Sequence, residues 1–168
     1  MRYLTLLMIF LTLVFACGDK STEPKVKSPS LSLTPESIEM NVGESTHVQL
    51  NIKNLKQAIF GISMRIDYLP YLVSFDDSQD FSVGNYFGQE IISFIKTNSS
   101  SIYLTISLVQ GQNAKGGSGY LGEFVFKAMK KGSGYIEIAP DEVYFYDATG
   151  NSISIPDMVI NDAVVSIQ

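Results

Sequence analysis

The sequence predicts an all-β fold, a two-sheet antiparallel β-sandwich of jelly-roll-like form with about nine strands. Three observations predict it. From Leu31 onward the apolar period is two rather than about 3.6; Gly, Asn, Asp, Ser and Pro cluster at short intervals between the apolar runs; and no segment of about ten residues keeps a helical period without a glycine or a β-branched run.

The chain opens on Met1 and Arg2, then runs apolar from Leu4 to Ala16 with only Thr5 and Thr12 interrupting. That run is shorter than the roughly 20 residues of a spanning helix, and with its basic start and small residue before a polar switch it has the form of a secretory signal peptide over residues 1–16. Val14-Phe15-Ala16-Cys17 resembles a bacterial lipobox, in which the signal is cut before a cysteine that takes the lipid. Cys17 is the sole cysteine, so it forms no internal disulfide, and a free thiol on an exported chain invites oxidation. Lipid attachment at Cys17 is therefore expected, and two or more acyl chains give a stable anchor in a bilayer. Gly18, rather than an aspartate, follows the cysteine, which enteric-like sorting permits for outer-membrane delivery. The expectation is an exported lipoprotein at the outer membrane or cell surface. Residues 17–30 then form the lipidated cysteine and a linker, since GDKSTEPKVKSPS has two prolines, mixed charge and no apolar face.

Residues 31–168 hold the domain. Val48, Leu50 and Ile52 alternate with His47, Gln49, Asn51 and Lys53; Ile62, Met64, Ile66 and Tyr68 with Gly61, Ser63, Arg65 and Asp67; Ile102, Leu104, Ile106 and Leu108 with Tyr103, Thr105, Ser107 and Val109. Each set reads as a half-buried strand with the first group inward. Further strands are expected at 37–42, 71–75, 90–96, 120–129, 135–139, 142–146 and 162–168.

The formal net charge is −5, and loss of Arg2 with the signal makes it one unit more negative, so nucleic acid is not an expected partner. His47 is the sole histidine, no Gly-x-Ser-x-Gly elbow is present, and no base stands ready for nucleophilic catalysis. The chain is not expected to be an enzyme. Acids cluster at Asp76, Asp77 and Asp80 and again at Asp141, Glu142 and Asp147; a glycosidase would need two of them facing a cleft. The first trio are weak candidates for calcium, a hard cation suited to loop oxygens; no other metal or cofactor is expected. Tryptophan is absent, which leaves Tyr86, Phe87 and Tyr103 as the best rings for gripping a polysaccharide.

The order of motifs, IFGISMRIDYLPYLVSF, VGNYFG, SIYLTIS, GSGYLGEFVFKA, GSGYIEI and VYFYDATGNSI, resembles the cohesin domain of bacterial cellulosome scaffolds and its carbohydrate-binding-module relatives. The carrying pieces are Tyr68-Leu69-Pro70 with Leu72, Gly119-Tyr120-Leu121 running to Phe126 and Ala128, and Asp147-Ala148-Thr149-Gly150. The resemblance implies a nine-stranded sandwich that binds a dockerin, a calcium-stabilised helical module, on one flat sheet face. On this register the face would present Gly61, Ser63, Arg65 and Asp67 from one strand and Tyr103, Thr105 and Ser107 from another. Members of the first type carry Asn and Asp where this chain has Gly61 and Ser63, so the resemblance does not carry recognition of that dockerin type. Two other roles stay open at this point, a carbohydrate-binding module on a lipoprotein and a structural component of a surface assembly.

Overall fold

The alternation in the sequence becomes a division between inside and outside. In the computed structural model, which describes residues 27–168, Val48, Leu50 and Ile52 are buried while His47, Gln49 and Lys53 are exposed. The expected signal peptide, Cys17 and most of the expected linker lie outside the described residues.

The strands in chain order are β1 (Ser30–Thr34), β2 (Ser37–Met40), β3 (Ser45–Ile59), β4 (Gly61–Asp67), β5 (Val73–Ser74), β6 (Phe81–Val83), β7 (Ile91–Asn98), β8 (Ser101–Leu108), β9 (Lys115–Ala128), β10 (Gly132–Ile138), β11 (Tyr144–Tyr146), β12 (Ser152–Ile153), β13 (Val159–Asn161) and β14 (Ala163–Ile167), with one turn of 3-10 helix at Pro140–Glu142. A six-stranded sheet runs β13-β1-β3-β9-β5, with β6 also on β9. In the eight-stranded sheet β4 is central, paired with β8 on one side and with β11 and β10 on the other; β7 lies outside β8, and β14 and β2 continue beyond β10.

The all-β sandwich is as expected, and the strand count is higher than nine. The surplus comes from short segments, β1, β6, β12 and β13, too brief to display a period of their own. The sheets are antiparallel except where β1 meets β13 and β2 meets β14, both parallel. These two pairings tie the start of the domain to its end, one in each sheet, as the chain crosses between sheets at Pro35 and Glu36.

β3 continues past Asn54, where a turn residue would suggest a stop. Asn54 takes a left-handed φ of 56°, which asparagine tolerates, and its N–H donates to Ser118 Oγ at 2.9 Å. The strand thus bends, with register shifts against β9, and stays in the sheet.

Both inner faces meet in one apolar layer. Phe124 and Phe126 on β9 are fully buried, and Phe75 packs on both with ring centroids 5.8 and 5.5 Å away. Tyr68 joins at 5.8 Å from Phe126. Burial of this many large side chains supplies the stability that disulfides would otherwise add.

Candidate docking face

β4 and β8 form the middle of the eight-stranded sheet, and their inward residues Ile62, Met64, Ile66, Ile102, Leu104 and Ile106 are buried. Because side chains alternate, Ser63, Arg65 and Asp67 stand beside Thr105, Tyr103 and Ser101 on the outer face, and Gly61 beside Ser107. All seven residues expected to bind a partner therefore share one face. Tyr103 is exposed, Gly61 is buried, and the other five are half-buried. Gly61 is thus corrected from a surface contact to a floor: a Cβ there would lie 3.2 Å from Ser107 Cβ, and the residue lines a cleft of about 460 Å³ with Ser107, Tyr146 and the Asp147–Gly150 turn.

The polar groups of the face are satisfied among themselves. Ser63 Oγ and Thr105 Oγ1 are 2.8 Å apart. Arg65 lies between two acids, its Nε 3.1 Å from Asp67 Oδ1 and its Nη1 3.1 Å from Glu142 Oε1. Ser101 Oγ donates to Asp67 Oδ1 at 2.6 Å. Arg65 is consequently a positioned member of an ion network rather than a free cation.

Apolar groups surround this polar middle. Cross-strand register puts Ile92 beside Ser107 and Phe94 beside Thr105, Tyr144 beside Ser63, and Tyr135 beside Val164, all pointing outward. Their exposures are 63% for Ile92, 60% for Phe94, 42% for Tyr144, 55% for Tyr135 and 43% for Val164, with Tyr103 at 41%. Sequence reasoning placed the strands of these five added residues but not their role. The available signal was in IISFI: a strand apolar on both parities has a second face that the core does not use.

The proposed sugar-binding rings do not make a row. Phe87 is corrected to a core residue at 4% exposure, turned inward as the chain crosses the end of the sandwich. Tyr86 packs over Gly119 of β9, in the other sheet from Tyr103; a Cβ on Gly119 would fall 2.6 Å from the Tyr86 ring. The Tyr86 hydroxyl donates to the Lys115 carbonyl at 3.1 Å, and burial pushes its pKa up to about 12.

The acids have separate tasks. Asp76 Oδ1 accepts from the N–H and hydroxyl of Ser78 at 3.0 and 2.7 Å, which holds its carboxyl below its ordinary pKa. Asp80 Oδ2 accepts from Asp76 N, while Asp77 Oδ2 turns to β7 and accepts from the N–H and hydroxyl of Thr97. Among the described residues, no three His, Cys, Asp or Glu side chains converge as a metal site, and the carboxylates of Asp76, Asp77 and Asp80, the weak calcium candidates, turn to separate protein partners. Of the second cluster, Glu142 joins Arg65, while Asp147 Oδ1 accepts from Thr149 and Asn151 within its own turn. His47 has an acidic neighbour: Nδ1 is 2.7 Å from Glu123 Oε1, one strand across on an exposed surface.

No protein-family model and no curated protein matches the sequence. Solved structures do match. A non-cellulosomal cohesin from the hyperthermophilic archaeon Archaeoglobus fulgidus aligns with a TM-score of 0.66 at 18% identity, over 84% of this chain and 92% of that one. A type II cohesin domain from the cellulosome of Acetivibrio cellulolyticus aligns at 0.68 and 17%, over 83% and 95%. A chain of a type I cohesin–dockerin complex from Clostridium thermocellum aligns at 0.64 and 14%, over 84% and 94%. Each match spans nearly the whole of a solved domain, so the described residues contain a complete sandwich of that kind. The resemblance found in the motifs extends to the three-dimensional structure: this chain has the cohesin fold.

Proposed function

We propose that this chain is a non-catalytic surface lipoprotein whose outer sheet face captures a protein partner of dockerin type, with Cys17 acylated and holding the domain at the envelope. The observation that carries the reading is the gathering of Ile92, Phe94, Tyr103, Tyr135, Tyr144 and Val164, six of the eleven exposed large hydrophobics, on one face of one sheet. An apolar patch of this kind, with its polar middle already paired, suits a partner that brings aliphatic or aromatic side chains and asks for few new hydrogen bonds. Solved neighbours of the fold include complexes with dockerins. A polysaccharide grip is less well supported, because Tyr103 is the sole exposed ring of the three first considered for it.

The test is titration of a panel of dockerin modules from the same organism against the domain. Phe94→Asp and Tyr144→Asp should each weaken capture by on the order of 30-fold or more, while Met129→Asp, exposed away from this face, should leave it unchanged. Equal capture by all three variants places the interface elsewhere, and retention on polysaccharide with no dockerin binding returns the sugar reading. For the tether, Cys17→Ala should abolish labelling by a lipid precursor; persistent labelling overturns it.

A further inference from the structure

β7 is an edge strand that pairs with β8 alone. The β7–β8 hairpin closes on Asn98 and Ser101 through two residues, with Ser99 at φ 52°. In such a hairpin the backbone groups of Asn98, Lys96, Phe94 and Ile92 turn toward β8, and those of Thr97, Ile95, Ser93 and Ile91 turn to the open side. Two bonds fix this parity. Thr97 N–H donates outward to Asp77 Oδ2 at 2.8 Å, and the Glu90 carbonyl accepts from Val109 N, just past β8, at 3.1 Å. Asp77 therefore covers the edge at Thr97. Among the described residues, no backbone group pairs with Ser93 or Ile95 on the open side.

Folded sheets usually guard such an edge with charge, proline or a covering segment. Here the uncovered stretch between Glu90 and Lys96 is flanked by Ile92 and Phe94, both exposed. The geometry points to a second copy of this chain as the occupant: two β7 strands pair antiparallel about a two-fold axis at Ser93 and join two eight-stranded sheets edge to edge.

Charge and apolar matching select this register. Centred on Ser93, it sets Glu90 opposite Lys96 of the partner subunit, Ile92 opposite the partner's Phe94 and Ile91 opposite the partner's Ile95. The free backbone groups of Ser93 then meet their own copies. A register centred on Phe94 would set Lys96 against an isoleucine, and one centred on Ile95 would set Lys96 against a phenylalanine. One centred on Ile92 would set Glu90 against a phenylalanine. Only the Ser93 register pairs opposite charges and apolar groups together, which is what cross-strand neighbours favour. Neither Lys96 nor Glu90 has an ion pair among the described residues, and the Glu90 carboxylate accepts one bond, from Gln112.

The axis stands perpendicular to the sheet. Both docking faces point the same way, and both β1 strands, where the tethers enter, lie behind on the opposite side. Two anchored copies on one membrane could therefore pair and present a doubled platform.

The experiment is sedimentation of the domain Lys27–Gln168 over a concentration series. A reversible dimer is expected, and Glu90→Lys or Lys96→Glu alone should weaken it by on the order of tenfold or more, since two pairs turn repulsive. An equimolar mixture of those two variants, or the double variant Glu90→Lys with Lys96→Glu, should restore the dimer. Ser93→Pro should give a monomer with unchanged far-ultraviolet dichroism and undiminished dockerin capture, because its N–H faces away from β8. A wild-type domain monomeric up to about 1 mM, single variants that dimerise like wild type, or a mixture that stays monomeric would each overturn the pairing.

Discussion

Tyr86 shows how one side chain can be read in two ways until its neighbours are known. In Gly84-Asn85-Tyr86-Phe87-Gly88 both rings look available, yet Phe87 enters the core and Tyr86 lies over Gly119, a position distant in sequence where any Cβ would meet its ring. The hydroxyl then finds the Lys115 carbonyl. Burial raises the folded-state pKa from 10.0 to about 12, so the fold favours the neutral phenol. Its contribution is complete below pH 10.0 and is lost as pH climbs from there toward 12. Spectrophotometric titration should accordingly show a tyrosine ionising later than an exposed one, and Tyr86→Phe should remove that late step. The same variant should lose on the order of 1 kcal/mol in urea unfolding at neutral pH, the net value of one phenol–carbonyl bond. Burial also raises Tyr68 and Tyr120, so the test is the loss of one late-titrating tyrosine; a titration unchanged by Tyr86→Phe would assign the shift to another ring.

At the scale of the element, the strands with a clear period were legible and the short ones were not. β4 and β8 alternate over seven and eight residues with large aliphatics on one parity, and the structure keeps every inward assignment from Ile62 to Ile66 and from Ile102 to Leu108. β12 and β13 have two and three residues, too few to show a period, and they owe their pairing to strands elsewhere in the chain. β7 was legible as a strand, but its outward residues were not assigned a task, because a face left apolar on both sides acquires meaning only beside its neighbours. Its Thr97 end illustrates the same point: the acceptor, Asp77, comes from a loop whose sequence shows only a cluster of acids, weak candidates for calcium. Asp77→Ala should leave the half-buried Thr97 N–H and hydroxyl without that acceptor and cost on the order of 1 to 2 kcal/mol. Hydrogen exchange should locate the change, with the Thr97 amide losing protection while amides of β4 keep theirs. Uniform loss across both sheets would show that Asp77 supports the sandwich as a whole.

Across the whole molecule, the core and the apolar part of the candidate docking face are built from the same residue types on opposite sides of one sheet. Composition cannot separate them; register can. The sequence pattern was sufficient for Ser63, Arg65, Thr105 and Ser107 because polar residues on an amphipathic strand must lie outward. It was insufficient for Phe94, whose apolar side chain would suit either side and whose orientation follows from the pairing of Phe94 with Thr105. This division predicts opposite phenotypes for two phenylalanine truncations. Phe124 is fully buried beneath Phe75 and Phe81, so Phe124→Ala opens a cavity and should destabilise the domain by about 3 to 5 kcal/mol. Phe94 is 60% exposed, so Phe94→Ala should change stability by no more than about 0.5 kcal/mol, while weakening dockerin capture by tenfold or more on the hot-spot scale. Urea unfolding and binding titration on the two purified variants separate the effects, provided the Phe124→Ala domain is assayed where it remains folded. Phe124→Ala should then bind with wild-type affinity, because its side chain lies on the far side of the molecule's apolar layer from the partner. If Phe94→Ala instead unfolds the domain and still binds when stabilised, Phe94 belongs to the scaffold and the outer face does not capture the partner through it.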